Sequence, residues 1–134
     1  MTSQGQGPNE KKQGSKGYKD LLVWQKGIEL VKETYKLTRD FPSDEKFGLV
    51  SQMRRAAVSV PSNIAEGQAR HTTKEFIQFI SHAEGSLAEL ETQVIVSTEL
   101  AYCDAQSANR AQDLAGELKR MLNALRRTLE RKSD

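Results

Sequence analysis

An apolar stripe runs through a proline between residues 50 and 64. Val50, Met53, Ala57, Val60 and Ile64 recur at intervals of three and four, the spacing of one face of an α-helix. Pro61 lies within that run, in the stretch QMRRAAVSVPSNIAEGQAR from Gln52 to Arg70. A proline there removes an amide donor and presses on the carbonyl four residues back. The spacing therefore predicts one helix from about Asp44 to Glu66, bent at Pro61 rather than broken. The carbonyl left without its donor is that of Ala57, and Asn63 or an arginine is a suitable replacement. Gly67 then supplies a residue able to take the left-handed conformation that ends a helix.

The same rhythm recurs in three other runs, and no stretch alternates with a period of two. Leu21, Trp24, Ile28, Val31, Tyr35 and Thr38 predict a first helix over about Asp20–Arg39, with Asp20 as its cap. Trp24 sits within that stripe and reads as core rather than as a platform for a base. Pro42 biases Phe41 away from helix, and Ser43 is placed to cap the second helix, with Asp44 and Glu45 at its positive end. Thr72-Thr73-Lys74-Glu75 reads as a capping box, opening a third helix that carries Phe76, Phe79/Ile80, Ala83, Leu87, Leu90, Val94, Ser97 and Ala101. Asp104 caps a fourth, with Ala111, Leu114/Ala115, Leu118, Met121/Leu122, Leu125 and Leu129 on one side. Four amphipathic helices on short connections predict an all-α, antiparallel up-and-down four-helix bundle with a kinked second helix. The bundle takes residues 18–131, and residues 132–134 form the C-terminal end. Residues 1–17 have no aliphatic side chain except Met1 and a net charge of +2, so they read as a disordered basic tail.

A chain of 134 residues has room for one core. No apolar run approaches the ~20 residues of a membrane span, and the N-terminus lacks the apolar segment of a signal peptide. A single cysteine, Cys103, is consistent with a reducing, cytoplasmic home. Leu49, Ala56, Val58, Ile77, Ile95 and Val96 exceed what one core stripe per helix needs. Surplus apolar positions of that kind predict self-association into a closed homo-oligomer.

The residues argue against the common bundle chemistries. A di-iron site needs Glu-x-x-His pairs, and no glutamate here has a histidine three residues on. His71 and His82 stand eleven apart with no cysteine nearby, which is not a zinc pattern. Glu75, His82 and Glu89 share heptad spacing and read as a solvated polar stripe. No Gly-x-Ser-x-Gly elbow or phosphate-cradling Gly-Lys-Ser/Thr loop occurs, and no basic residue adjoins Cys103 to activate it. The expectation is a non-enzymatic protein with no catalytic residue, cofactor or metal. A helix-turn-helix around VSVPSNIAEGQARHTTKEFIQF is disfavoured, because the helix that follows is too long and too acidic for base recognition.

Charge is unevenly spread. From Thr72 to Cys103, Lys74 stands against Glu75, Glu84, Glu89, Glu91 and Glu99, a net charge of −4. From Lys119 to Lys132, Lys119, Arg120, Arg126, Arg127, Arg131 and Lys132 stand against Glu130, a net charge of +5. Such opposition either sets subunits in register or marks the basic end as a phosphate-binding surface. No aromatic residue lies in that cluster, so any nucleic-acid contact there is expected to have weak sequence preference. Arg54 and Arg55, at the edge of the Val50–Met53–Ala57 stripe, read as structural braces. Glu66, Glu84, Glu89 and Glu91 are their candidate partners.

Three segments, VWQKGIELVKETYKLTRDFPSDEKFGL, SQMRRAAVSVPSNIAEG and EFIQFISHAEGSLAELETQV, carry a resemblance. They resemble the bacterial four-helix-bundle family whose members include proteins encoded in 23S ribosomal RNA intervening sequences. The likeness extends from about Tyr18 to Leu129. It implies an up-and-down bundle, a ring of five subunits, and distant kinship to retroelement accessory proteins that bind RNA and reverse transcriptase. RNA or a ribonucleoprotein is thus an expected partner beside the chain itself. The resemblance implies no enzymatic activity.

Overall fold

Residues 17–133 are described by a computed structural model. The expected tail at residues 1–17 lies almost wholly outside them. Four helices account for most of the described chain: α1 (Leu22–Thr38), α2 (Leu49–Gln68), α3 (Thr73–Glu99) and α4 (Ala105–Ser133). Short 3-10 turns at Tyr18–Asp20 and Ser43–Glu45 precede α1 and α2. Each helix packs on two neighbours, in the cyclic order α1, α2, α3, α4.

Cross-helix pairs give the directions. Lys26 meets Glu117 and Glu33 meets Arg110 between α1 and α4. Glu84 meets Arg126 and Glu91 meets Lys119 between α3 and α4. Met53 meets Ser97 and Ser59 meets Ser86 between α2 and α3. In every case one residue number rises as the other falls, so adjacent helices are antiparallel. The fold is the expected up-and-down bundle. Its centre is filled by fully buried Leu30, Met53, Ile64, Ile80, Leu87, Leu90, Leu118 and Leu122.

Helix α2 passes through Pro61 as one uninterrupted element. Pro61 is itself buried, against Gly27 of α1. Asn63 does not serve the Ala57 carbonyl: its Nδ2 donates to Ser59 O at 2.7 Å. Gly67 also differs from expectation. The helix continues to Gln68, and Gly67 is a buried point of close approach, where an added Cβ would lie 2.8 Å from Phe76 Cδ1 and from Phe79 Cβ. Among the described residues the positive φ values belong to Gly17 and Ala101.

Several boundaries and faces shift. The second helix starts at Leu49 rather than Asp44, because Gly48 (φ −108°, ψ −108°) interrupts helical geometry. Ser43 makes no side-chain cap. Glu45 takes that part, its Oε1 accepting from Leu49 N at 3.0 Å. Asp20 likewise does not cap α1, which begins after an extended Leu21. The buried face of α1 is Val23, Gly27, Leu30, Thr34, Leu37 and Thr38, so of the expected stripe only Thr38 is fully inside. Trp24 and Val31 pack on the core's flank, whereas Ile28 and Tyr35 are exposed. The caps of the last two helices are as expected. Thr72 Oγ1 accepts from Glu75 N at 3.1 Å, and Asp104 Oδ1 accepts from Ser107 N at 2.8 Å.

Candidate functional site

The basic end of the chain forms the last turns of α4, and helix geometry sorts its cations onto different faces. Positions 120, 127 and 131 are seven and four apart, close to whole turns of 3.6 residues, so they share a stripe. Arg120, Arg127 and Arg131 are all exposed, and ~16 Å of helix separates the first from the last. Lys119 and Arg126 occupy another face, toward α3. Lys119 Nζ lies 3.1 Å from Glu91 Oε1, and Arg126 Nη2 pairs with Glu84 Oε1 and donates to Ser81 Oγ at 3.1 Å. The acidic charge of α3 thus offsets part of the basic charge of α4 within one chain. Lys132 is exposed near the helix end. The six residues therefore split into an inward pair that braces the bundle and an outward set open to phosphate.

Arg54 and Arg55 take other partners than expected. Among the described residues neither forms an ion pair with Glu66, Glu84, Glu89 or Glu91. Glu84, Glu89 and Glu91 belong to α3 and Glu66 to the last turn of α2 itself, while Arg54 points to α1. Its Nε donates to Thr38 Oγ1 at 3.0 Å, and its guanidinium carbon stands 4.3 Å from the centre of the Tyr35 ring. Arg54 is a brace, but a cation–π and hydroxyl brace. Arg55 is exposed. Glu66 pairs with Arg70 one turn on, at 2.8 Å, and Arg70 lies 4.8 Å from the Phe79 ring centre.

Both arginines border a concavity of about 670 Å³ on the outer side of α2. Tyr35, Lys46, Phe47, Ser51, Val58, Ser59 and Ser62 complete most of its lining, which holds no carboxylate. Phe47 is 89% exposed, in the link before α2. Phe47 stands three residues before Val50 and continues the expected rhythm of the second helix, but the break at Gly48 takes it out of that stripe. The available signal was its setting, an aromatic between a lysine and a glycine, where the glycine can interrupt the helix.

A second surface is apolar. Ile95, Val96 and Leu100, near the end of α3, are 56%, 40% and 51% exposed. Of the other positions expected to be surplus, Val58 is exposed, Leu49 and Ile77 pack partly on the core, and Ala56 is buried. Ala56 is therefore not available to a partner.

The end of the bundle that carries both longer connections is tied together by one carboxylate. Tyr102 donates to Glu45 Oε2 at 2.9 Å, while the other oxygen of Glu45 caps α2. That bond, with some desolvation, pushes the Tyr102 hydroxyl above its ordinary range. Asp104 moves the other way. Hydrogen bonds from Ser107 hold its carboxyl below the usual range. Glu75, His82 and Glu89 do not converge: Glu75 belongs to the α3 cap, His82 lies edge-on to Phe79, and Glu89 accepts from Gln93. Among the described residues no three of His, Cys, Asp and Glu gather to hold a metal ion. Nor is any described helix long and apolar enough to cross a membrane.

Residues 19–124 match the family model described as 23S rRNA-intervening sequence protein. The matched stretch spans α1 to α3 and most of α4, including Arg54, Arg55, Lys119 and Arg120, and stops before Arg126. No curated protein matches the chain.

Proposed function

Because the chain belongs to the 23S rRNA-intervening sequence protein family, we propose that it is a non-enzymatic, self-assembling bundle that associates with RNA or a ribonucleoprotein by phosphate contacts. The observation that carries this reading is the outward stripe of Arg120, Arg127 and Arg131 on α4. Three guanidinium groups on one helix face suit successive phosphates, and Lys132 extends the charge at the end. The family description names a ribosomal RNA sequence, which agrees with an anionic partner. A ring of five copies, as in similar proteins, would multiply individually weak contacts through effective concentration. No residue on the stripe reads bases, so affinity is expected to be general and strongly dependent on salt.

The test is the Arg120→Gln, Arg127→Gln, Arg131→Gln triple variant. Its affinity should fall to a similar degree for unrelated RNA sequences, and log affinity against log salt should flatten by roughly two to three units. Absence of RNA binding at low salt by the intact protein would overturn the reading. A module that binds only other proteins would then be favoured, resting on the exposed Ile95, Val96 and Leu100 patch.

A further inference from the structure

The concavity on α2 has a composition unlike that of the apolar patch on α3. Lys46, Arg54 and Arg55 supply three cations, Ser51, Ser59, Ser62 and Tyr35 supply hydroxyls, and no acid lines the surface. Elsewhere Lys26, Arg70, Arg110, Lys119 and Arg126 each meet a carboxylate. The aromatic component is equally marked. Phe47 is 89% exposed, with Lys46 Nζ 5.5 Å from its ring centre. An apolar ring left that far out of its own core offers a broad face to a flat partner.

We propose that this concavity is a binding site for single-stranded RNA, in which one unstacked base lies on Phe47 while Lys46 and Arg55 hold the flanking phosphates. The site rests on the RNA-association reading above and adds to it a second surface, distinct from α4. Cationic side chains that follow the backbone, beside an aromatic that takes a base, are the combination that single strands require. A duplex keeps its bases stacked inside and cannot use the ring. Arg54 is held by Thr38 and Tyr35, so it fixes the wall of the site while Arg55 is free to reach outward. Charge argues for this occupant over a second copy of the chain. Lys46, Arg54 and Arg55 line the concavity with no acid among them, an uncompensated positive charge that suits a polyanion.

The experiment measures binding of a short labelled oligouridylate and of an A-form RNA duplex to the full-length protein, with its mass followed by light scattering. Phe47→Ala should weaken oligouridylate binding about tenfold and leave duplex binding and assembly mass unchanged. Lys46→Gln with Arg55→Gln should flatten the salt dependence for the single strand by about 0.7 per cation removed. Phe47 packs on nothing that folding needs, so the alanine variant should fold normally. Unchanged single-strand affinity in Phe47→Ala would overturn the site. So would a fall in assembly mass in that variant, which would give the surface to a second copy. If the Phe47 and Lys46/Arg55 variants bind like the parent while the α4 triple variant fails, this site falls and the broader reading stands. If the intact protein binds neither RNA, both fall.

Discussion

Pro61 of α2 is seated on Gly27 of α1. A Cβ built on Gly27 would lie 3.2 Å from Pro61 Cβ and 3.4 Å from its Cδ. The proline ring sits in the space that the missing side chain leaves, where α1 and α2 cross. Gly27→Ala sets a helix-propensity gain of ~1 kcal/mol against a contact with a rigid ring. The expected net change is under ~1 kcal/mol in urea denaturation. Gly27→Leu has no such balance and should cost ~2 kcal/mol or more through overpacking.

Gly67 offers a sharper case. The atoms that an added Cβ would meet at 2.8 Å include Phe79 Cβ, which is fixed to the α3 backbone and cannot rotate away. Gly67→Ala should therefore destabilise by ~1–3 kcal/mol despite its better helix propensity. A variant as stable as the parent would refute close approach as the reason for glycine here.

These two glycines show what the sequence made legible. Four helices, their order and two of their caps followed from spacing and cap chemistry, because Leu87, Leu118 and their neighbours repeat without interruption. The face of α1 did not follow. Its buried stripe contains Gly27 and Thr34, which lower its apparent hydrophobicity, while Trp24, Ile28 and Tyr35 enrich the flank. Thr34 can be buried because its hydroxyl donates to Leu30 O at 2.8 Å within its own helix. Gly27 is there for Pro61. Both reasons are tertiary or local hydrogen-bonding facts that a hydrophobic pattern does not record. The split of the basic end was implicit in helical phase, yet the pairing of Arg126 with Glu84 required knowing which helix lies beside α4.

That pairing separates two neighbours in sequence. Arg126→Gln removes a half-buried partner of Glu84 and should lower stability by about 1 kcal/mol, with little change in RNA affinity. Arg127→Gln, on the exposed stripe, should leave stability within ~0.5 kcal/mol and reduce the salt dependence of RNA binding. Equilibrium denaturation and anisotropy titrations on both variants check the assignment. Identical behaviour of the two would contradict it.

Asp104 and Tyr102 titrate at opposite ends of the pH scale. The folded-state pKa of Asp104 is depressed below its ordinary 3.8. Its contribution is thus present above that value and lost as pH falls through the folded pKa. Asp104→Ala should lower the melting temperature by a few degrees at neutral pH, with the gap to the parent closing below that range. Tyr102 is raised above 10.0, so its contribution is complete below pH 10 and fades as pH rises through the folded value. Tyr102→Phe should narrow its difference from the parent only in strong alkali.

Self-association is expected to use the end of α3. Val96 and Leu100 stand one turn apart, and Ile95 adjoins them, each 40% or more exposed. Burying such side chains in a partner contributes up to ~1.5–3 kcal/mol each, and a ring repeats the gain at every contact. Glu99 lies between Val96 and Leu100 at the patch and is exposed, so the partner surface should supply a cation or leave that carboxylate at a wet rim. Val96→Asp with Leu100→Asp would place two charges in the buried centre. The expected result is a fall from oligomer to monomer mass by light scattering at micromolar concentration, with the helical content of the bundle retained. A parent protein that is already monomeric there would end the assembly reading. An oligomer unchanged by the double substitution would move the contact to another face.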